Sequence, residues 1–62
     1  MLEQMITEMR KLTAEINDLL ELAVKLYVEG NASKCDEILA LSDKKLAKQT
    51  ELSTKIALAR LA

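Results

Sequence analysis

The sequence predicts an all-α chain, an antiparallel hairpin of two long amphipathic helices that associates into a four-helix bundle or packs on a partner. Three observations predict it. Half of the 62 residues are apolar, yet Tyr27 is the only aromatic one and there is no proline; a palette of Leu, Ile, Val, Ala and Met favours helix over strand. Apolar residues recur at heptad spacing from Leu2 onward. A single glycine, Gly30, stands close to the middle of the chain, where a reversal would divide it into two equal arms.

The first helix is expected over residues 2–29. Leu2, Met9, Ile16 and Ala23 form one line, Met5, Leu12, Leu19 and Leu26 a second, and Ile6, Thr13, Leu20 and Tyr27 a third beside them. At the nominal 100° per residue these lines cover about 160°, wider than one partner helix fills. Leu22 and Val28 fall outside even this stripe, so the last third of the helix is apolar on nearly every side. Met1, Met5 and Met9 offer a pliable end surface, with core filling the expected job of the last two.

The turn is expected over residues 30–32. Gly30 can adopt the left-handed conformation that closes a helix without a Cβ penalty. Ser33, with Asp36 three residues on, fits a capping box at the start of a second helix over residues 33–61, and Asn31 is the alternative cap. So short a connection forces the helices antiparallel.

Along the second helix, Cys35, Ile38, Leu39, Ser42, Leu46, Gln49, Leu52, Ser53, Ile56 and Ala59 share one face at helical spacing. Ser42, Gln49 and Ser53 make this seam polar in places. Such groups either hydrogen-bond inside a bundle and set its register, or stay wet until a partner covers them; the first is preferred, because buried polar groups are generally satisfied. Charge supports the fold-back. Residues 1–29 carry six acids and three bases, residues 33–62 four acids and six bases, so the arms attract. Exposed pairs such as Glu21 with Lys25 and Glu51 with Lys55 add only about 0.3 to 0.5 kcal/mol each.

Length bounds what such a chain can do alone. A domain of this size buries only about 60% of its unfolded surface and needs a staple: disulfides, metal or association. One cysteine and no histidine leave association, with no metal and no cofactor expected. Catalysis is not expected either. Ser-His and Cys-His constellations are impossible without histidine, no glycine-rich phosphate loop exists, and a two-helix hairpin has no cavity in which to tune a base. The densest apolar run, Leu19 to Val28, is interrupted by Glu21 and Lys25 and is too short to span a bilayer. The amino terminus lacks signal-peptide character. A cytoplasmic location follows as the expectation, with no membrane partner and a reduced thiol.

Each candidate site has a plainer reading. Cys35, in the first turn of helix two, has the position of an activated thiol, but it packs equally well as a small apolar residue. Lys44, Lys45, Lys48, Lys55 and Arg60 form a broken basic strip; Asp43 and Glu51 interrupt it and no aromatic side chain interleaves it, so solvent cover is preferred over nucleic acid. Glu3, Glu8, Glu15, Asp18, Glu21 and Glu29 alternate with Lys11 and Lys25 as a wet acidic side.

Leu19, Leu22, Ala23, Leu26, Gly30, Cys35, Leu39 and Ser42 reproduce the large and small positions of a tetratricopeptide repeat, and Leu26-Tyr27-Val28-Glu29-Gly30-Asn31 resembles its inter-helix turn. Leucines replace the usual aromatics, the closing proline is absent, and one copy stands where a solenoid needs about three. The same stretch is similar to small secretion-type and flagellar helical chaperones, which shield a partner's amphipathic helix. In length and layout the chain resembles the plasmid RNA-modulator family, whose hairpins dimerise into an RNA-binding four-helix bundle. Leu41-Ser42-Asp43-Lys44-Lys45-Leu46 resembles the serine motif of short sporulation-regulator phosphatases, without the aspartate that defines it.

The expected function is therefore a non-enzymatic protein-binding module, an adaptor, chaperone or inhibitor. It would self-associate, most simply as a dimer, through the seam of helix one and an interface of Leu20, Leu22, Val24, Tyr27 and Val28. An RNA-binding dimeric bundle and a response-regulator phosphatase-like protein are the alternatives.

Overall fold

The computed structural model describes residues 2–61 as two helices, α1 from Leu2 to Val28 and α2 from Ala32 to Leu61. They pack antiparallel along their whole length into a rod of 49 × 14 × 11 Å. The fold is the all-α hairpin expected.

The arms are joined by a very short link. Gly30 takes φ +81°, and its N-H donates to the Tyr27 carbonyl (3.0 Å) while that of Asn31 donates to the Leu26 carbonyl (2.8 Å). This crossed pair is a Schellman closure, which satisfies two of the carbonyls that a helix end leaves open. Asn31 then starts α2. Its backbone carbonyl accepts from Cys35 N-H (3.1 Å) and its Oδ1 from Lys34 N-H (3.4 Å). The cap is thus Asn31 and not Ser33, which sits inside the first turn. One residue serves both ends because the Schellman bond already holds Asn31 where its side chain overhangs the new helix. α1 accordingly stops at Val28, one residue before the expected end, and α2 begins one residue early.

The core is one seam. Leu12, Ile16 and Ala23 of α1 are buried against Cys35, Ser42 and Leu52 of α2. Half-buried Met5, Met9, Leu19 and Leu26 extend the first row, and Ile38, Lys45, Gln49 and Ile56 the second. Both rows advance by alternating steps of three and four, the spacing that keeps a seam facing its partner helix. Met1 lies outside the described residues, so the methionine surface rests on Met5 and Met9, both in the seam.

The α2 row departs from the sequence expectation. Leu39, Leu46, Ser53 and Ala59 are exposed, while Lys45 enters the seam. Lysine tolerates this position because its methylene stem covers apolar surface and its ammonium reaches the edge. The polar seam therefore consists of Ser42, Lys45 and Gln49, with Ser53 outside it. Among the described residues no sealed side-chain nitrogen or oxygen lacks a hydrogen-bond partner.

Candidate protein-interaction face

Burying one row per helix leaves two flanks along the hairpin, and they differ in chemistry. On one flank a cleft is lined by Glu8, Lys11, Leu12, Glu15, Leu41, Lys44, Lys45 and Lys48. Lys45 Nζ meets Glu15 Oε2 at 2.5 Å, and Lys48 Nζ lies 3.6 Å from Glu8 Oε1. The hydrogen bond from Lys45 holds the Glu15 carboxyl below its usual range. Partial burial opposes that shift, and the positive charges of Lys45, Lys11 and Lys48 reinforce it. A further pair, Lys55 with Glu51 at 3.4 Å, forms along α2. Glu21 and Lys25 form no such pair.

The other flank is apolar. Leu20, Ala23, Val24, Tyr27, Cys35 and Leu39 line an open groove of about 520 Å³. Tyr27 is 70% exposed and Leu20 43% on the α1 side, and Leu39 39% on the α2 side, so large apolar side chains stand in water on both sides of the groove. Steps of seven residues carry this flank toward the open end of the hairpin, through Thr13 and Ile6 on α1 and Leu46, Ser53 and Arg60 on α2. Arg60, in the last turn of α2, is the one charged position among them. Midway along, Gln49 Nε2 donates to Thr13 Oγ1 (2.5 Å), whose own hydroxyl donates to the Met9 carbonyl (2.9 Å). The threonine that interrupts the apolar line on α1 is thereby partnered across the seam.

Of the five interface residues expected from sequence, the groove gathers Leu20, Val24 and Tyr27. Leu22 is not among them. It sits about 200° around α1 from Leu20, on the charged flank behind Glu15. Val28 lies on the outer surface, away from both flanks. The α1 seam, expected to mediate self-association, is occupied by α2 of the same chain. One contributor was misplaced by sequence reasoning: Leu39 forms a wall of the groove instead of filling the seam. Cys35, buried in the seam as expected, also lines the groove. Lys45 was missed as a seam residue, although its distance of seven from both Ile38 and Leu52 marks it.

The remaining sequence candidates are placed as follows. Cys35 is a free, buried thiol. Ser42 is buried in the seam. Among the described residues there is no group of three or more His, Cys, Asp or Glu placed to hold a metal ion, and no helix is long and apolar enough to cross a membrane. No protein-family model, characterised protein or solved structure matches the chain.

Proposed function

We propose that the chain is a non-enzymatic protein-binding module whose apolar flank receives an amphipathic helix, in the manner of an adaptor, chaperone or inhibitor. The observation that carries this reading is the groove of Leu20, Ala23, Val24, Tyr27, Cys35 and Leu39, whose lining side chains are all apolar or weakly polar. Two antiparallel helices bounding an apolar channel present the shape that a third helix fills through residues at i, i+3, i+4 and i+7. Exposed apolar side chains gathered in one groove on so small a chain support an interaction role.

The alternatives draw less support. For RNA binding, Lys45, Lys48 and Lys55 are engaged by Glu15, Glu8 and Glu51, so phosphates would compete with carboxylates for three of the five cations of the basic strip. For phosphatase-like action, the serine that carries the resemblance, Ser42, faces α1 and not a partner.

A designed amphipathic helical peptide of leucine, lysine and glutamate, titrated into the isotopically labelled chain, tests the proposal. Amide shifts should centre on Leu20, Val24, Tyr27 and Leu39. Shifts centred on Lys44 to Lys48, or their absence at peptide saturation, would reject it.

A further inference from the structure

We infer that the occupant of the apolar flank is a second copy of this chain, the two hairpins closing face to face into a four-helix bundle. The inference rests on the reading of that flank as a protein-binding surface and names the partner.

Area supports it first. The hairpin exposes 4925 Å², whereas a compact monomer of 6.9 kDa exposes about 4,000 Å². The excess, roughly 900 Å² per chain, is close to the roughly 800 Å² that each partner contributes to a stable interface of standard size. Shape agrees with area. The radius of gyration is 14.4 Å, against about 11 Å for a compact chain of this length, because two helices side by side form a layer with only one seam.

Charge supports it second. A twofold interface sets one patch against its own duplicate, so any net charge on the patch repels itself. Along this flank the heptad positions Ile6, Thr13, Leu20 and Tyr27 of α1 and Leu39, Leu46 and Ser53 of α2 carry none, and the one charge on these two lines, Arg60, stands in the last turn of α2 at the open end of the rod. The opposite flank holds the cross-helix ion pairs Glu8–Lys48 and Glu15–Lys45; its cleft also carries Lys11 and Lys44, a surplus of positive charge that a duplicate of the same face would repel. Length agrees as well. Ile6 to Tyr27 spans about 32 Å of helix, more than a single short helix covers, and a second hairpin matches it by construction.

The test uses a pair of leucines two positions apart on α1. Leu20 and Leu22 are equally exposed, at 43% and 42%, but stand on opposite flanks. Sedimentation equilibrium of the full chain over a wide concentration series should return twice 6.9 kDa for the parent and for Leu22→Glu. Leu20→Glu should weaken association on the order of 100-fold or more, because the twofold presents the charge twice to an apolar surface. Leu39→Glu, on the other helix, should do the same, and circular dichroism distinguishes dissociation from unfolding. The fluorescence of Tyr27, the only tyrosine in a chain without tryptophan, should report burial over the same concentrations as the mass.

A monomeric mass for the parent at the highest concentration overturns the inference, as does equal dissociation by Leu20→Glu and Leu22→Glu. If that monomer still binds the designed leucine-rich peptide through Leu20 and Leu39, the protein-binding reading stands and only the identity of the occupant falls. If it binds neither itself nor the peptide, both fall.

Discussion

Lys45 of α2 crosses the edge of the seam to Glu15 of α1, its Nζ 2.5 Å from Oε2, so that a position with core spacing ends in an ion pair on the surface. The side chains are about one third exposed. The pair forms at the rotation in which α2 buries the track of Cys35, Ser42 and Leu52. Turning α2 to bury Leu39 or Leu46 would draw Lys45 away from Glu15 and leave the stem of neither residue covered.

The pair makes stability depend on pH. Glu15 ionises more readily folded than unfolded, its carboxyl lying below the ordinary 4.5. Its contribution is therefore fully present above the ordinary glutamate range and is lost as pH falls through the lowered value. Thermal melts of the parent and Glu15→Gln should differ most near neutrality and converge in acid. Added salt should also narrow the gap, since the pair is partly exposed.

The turn tests backbone strain in isolation. A Cβ built on Gly30 meets no atom within 4 Å, so Gly30→Ala changes only the cost of φ +81°. Urea denaturation should show a loss of roughly 1 to 2 kcal/mol, and Gly30→Asn a smaller one, because asparagine tolerates the left-handed region.

Capping separates Asn31 from Ser33. Asn31→Ala removes the acceptor for Lys34 N-H and should destabilise the hairpin by about 1 kcal/mol. Ser33→Ala lies in the first turn and should stay within about 0.5 kcal/mol of the parent. Equal losses in chemical denaturation would return the cap to Ser33.

The core is small enough for one side chain to matter. Leu12 and Leu52 are buried on opposite helices, and truncation of either to alanine should cost about 2 to 5 kcal/mol. For a chain of this length total stability is roughly 3 to 9 kcal/mol, so either variant should be largely unfolded well below the parent's melting temperature. Leu58→Ala, on the exposed side of α2, should leave the melt nearly unchanged.

Much of the architecture was legible in the residues. The steps of three and four from Met5 to Leu26 identify the inner row of α1 because nearly every position in them is aliphatic, and Gly30 marks the reversal because it is the chain's one glycine and lacks the Cβ that disfavours positive φ. α2 was legible only in part. Its apolar residues lie on two adjacent tracks, one through Cys35, Ile38, Ser42 and Leu52, the other through Leu39 and Leu46, and each is broken by polar groups. Periodicity alone assigns both to a single broad face.

By itself, then, the sequence determined two helices, their antiparallel course, the position of the turn and the inner row of α1. Tertiary packing decided which track of α2 faces inward, and with it which apolar residues remain outside: Leu20, Val24, Tyr27 and Leu39 together in one groove, Leu22 on the far flank. The reason is geometric. A helix's own pattern states that it is amphipathic, but its rotation about its axis is selected by the surface it meets. Here that surface offered Glu15 to the ammonium of Lys45 and a groove floor that Ala23 shares with Cys35.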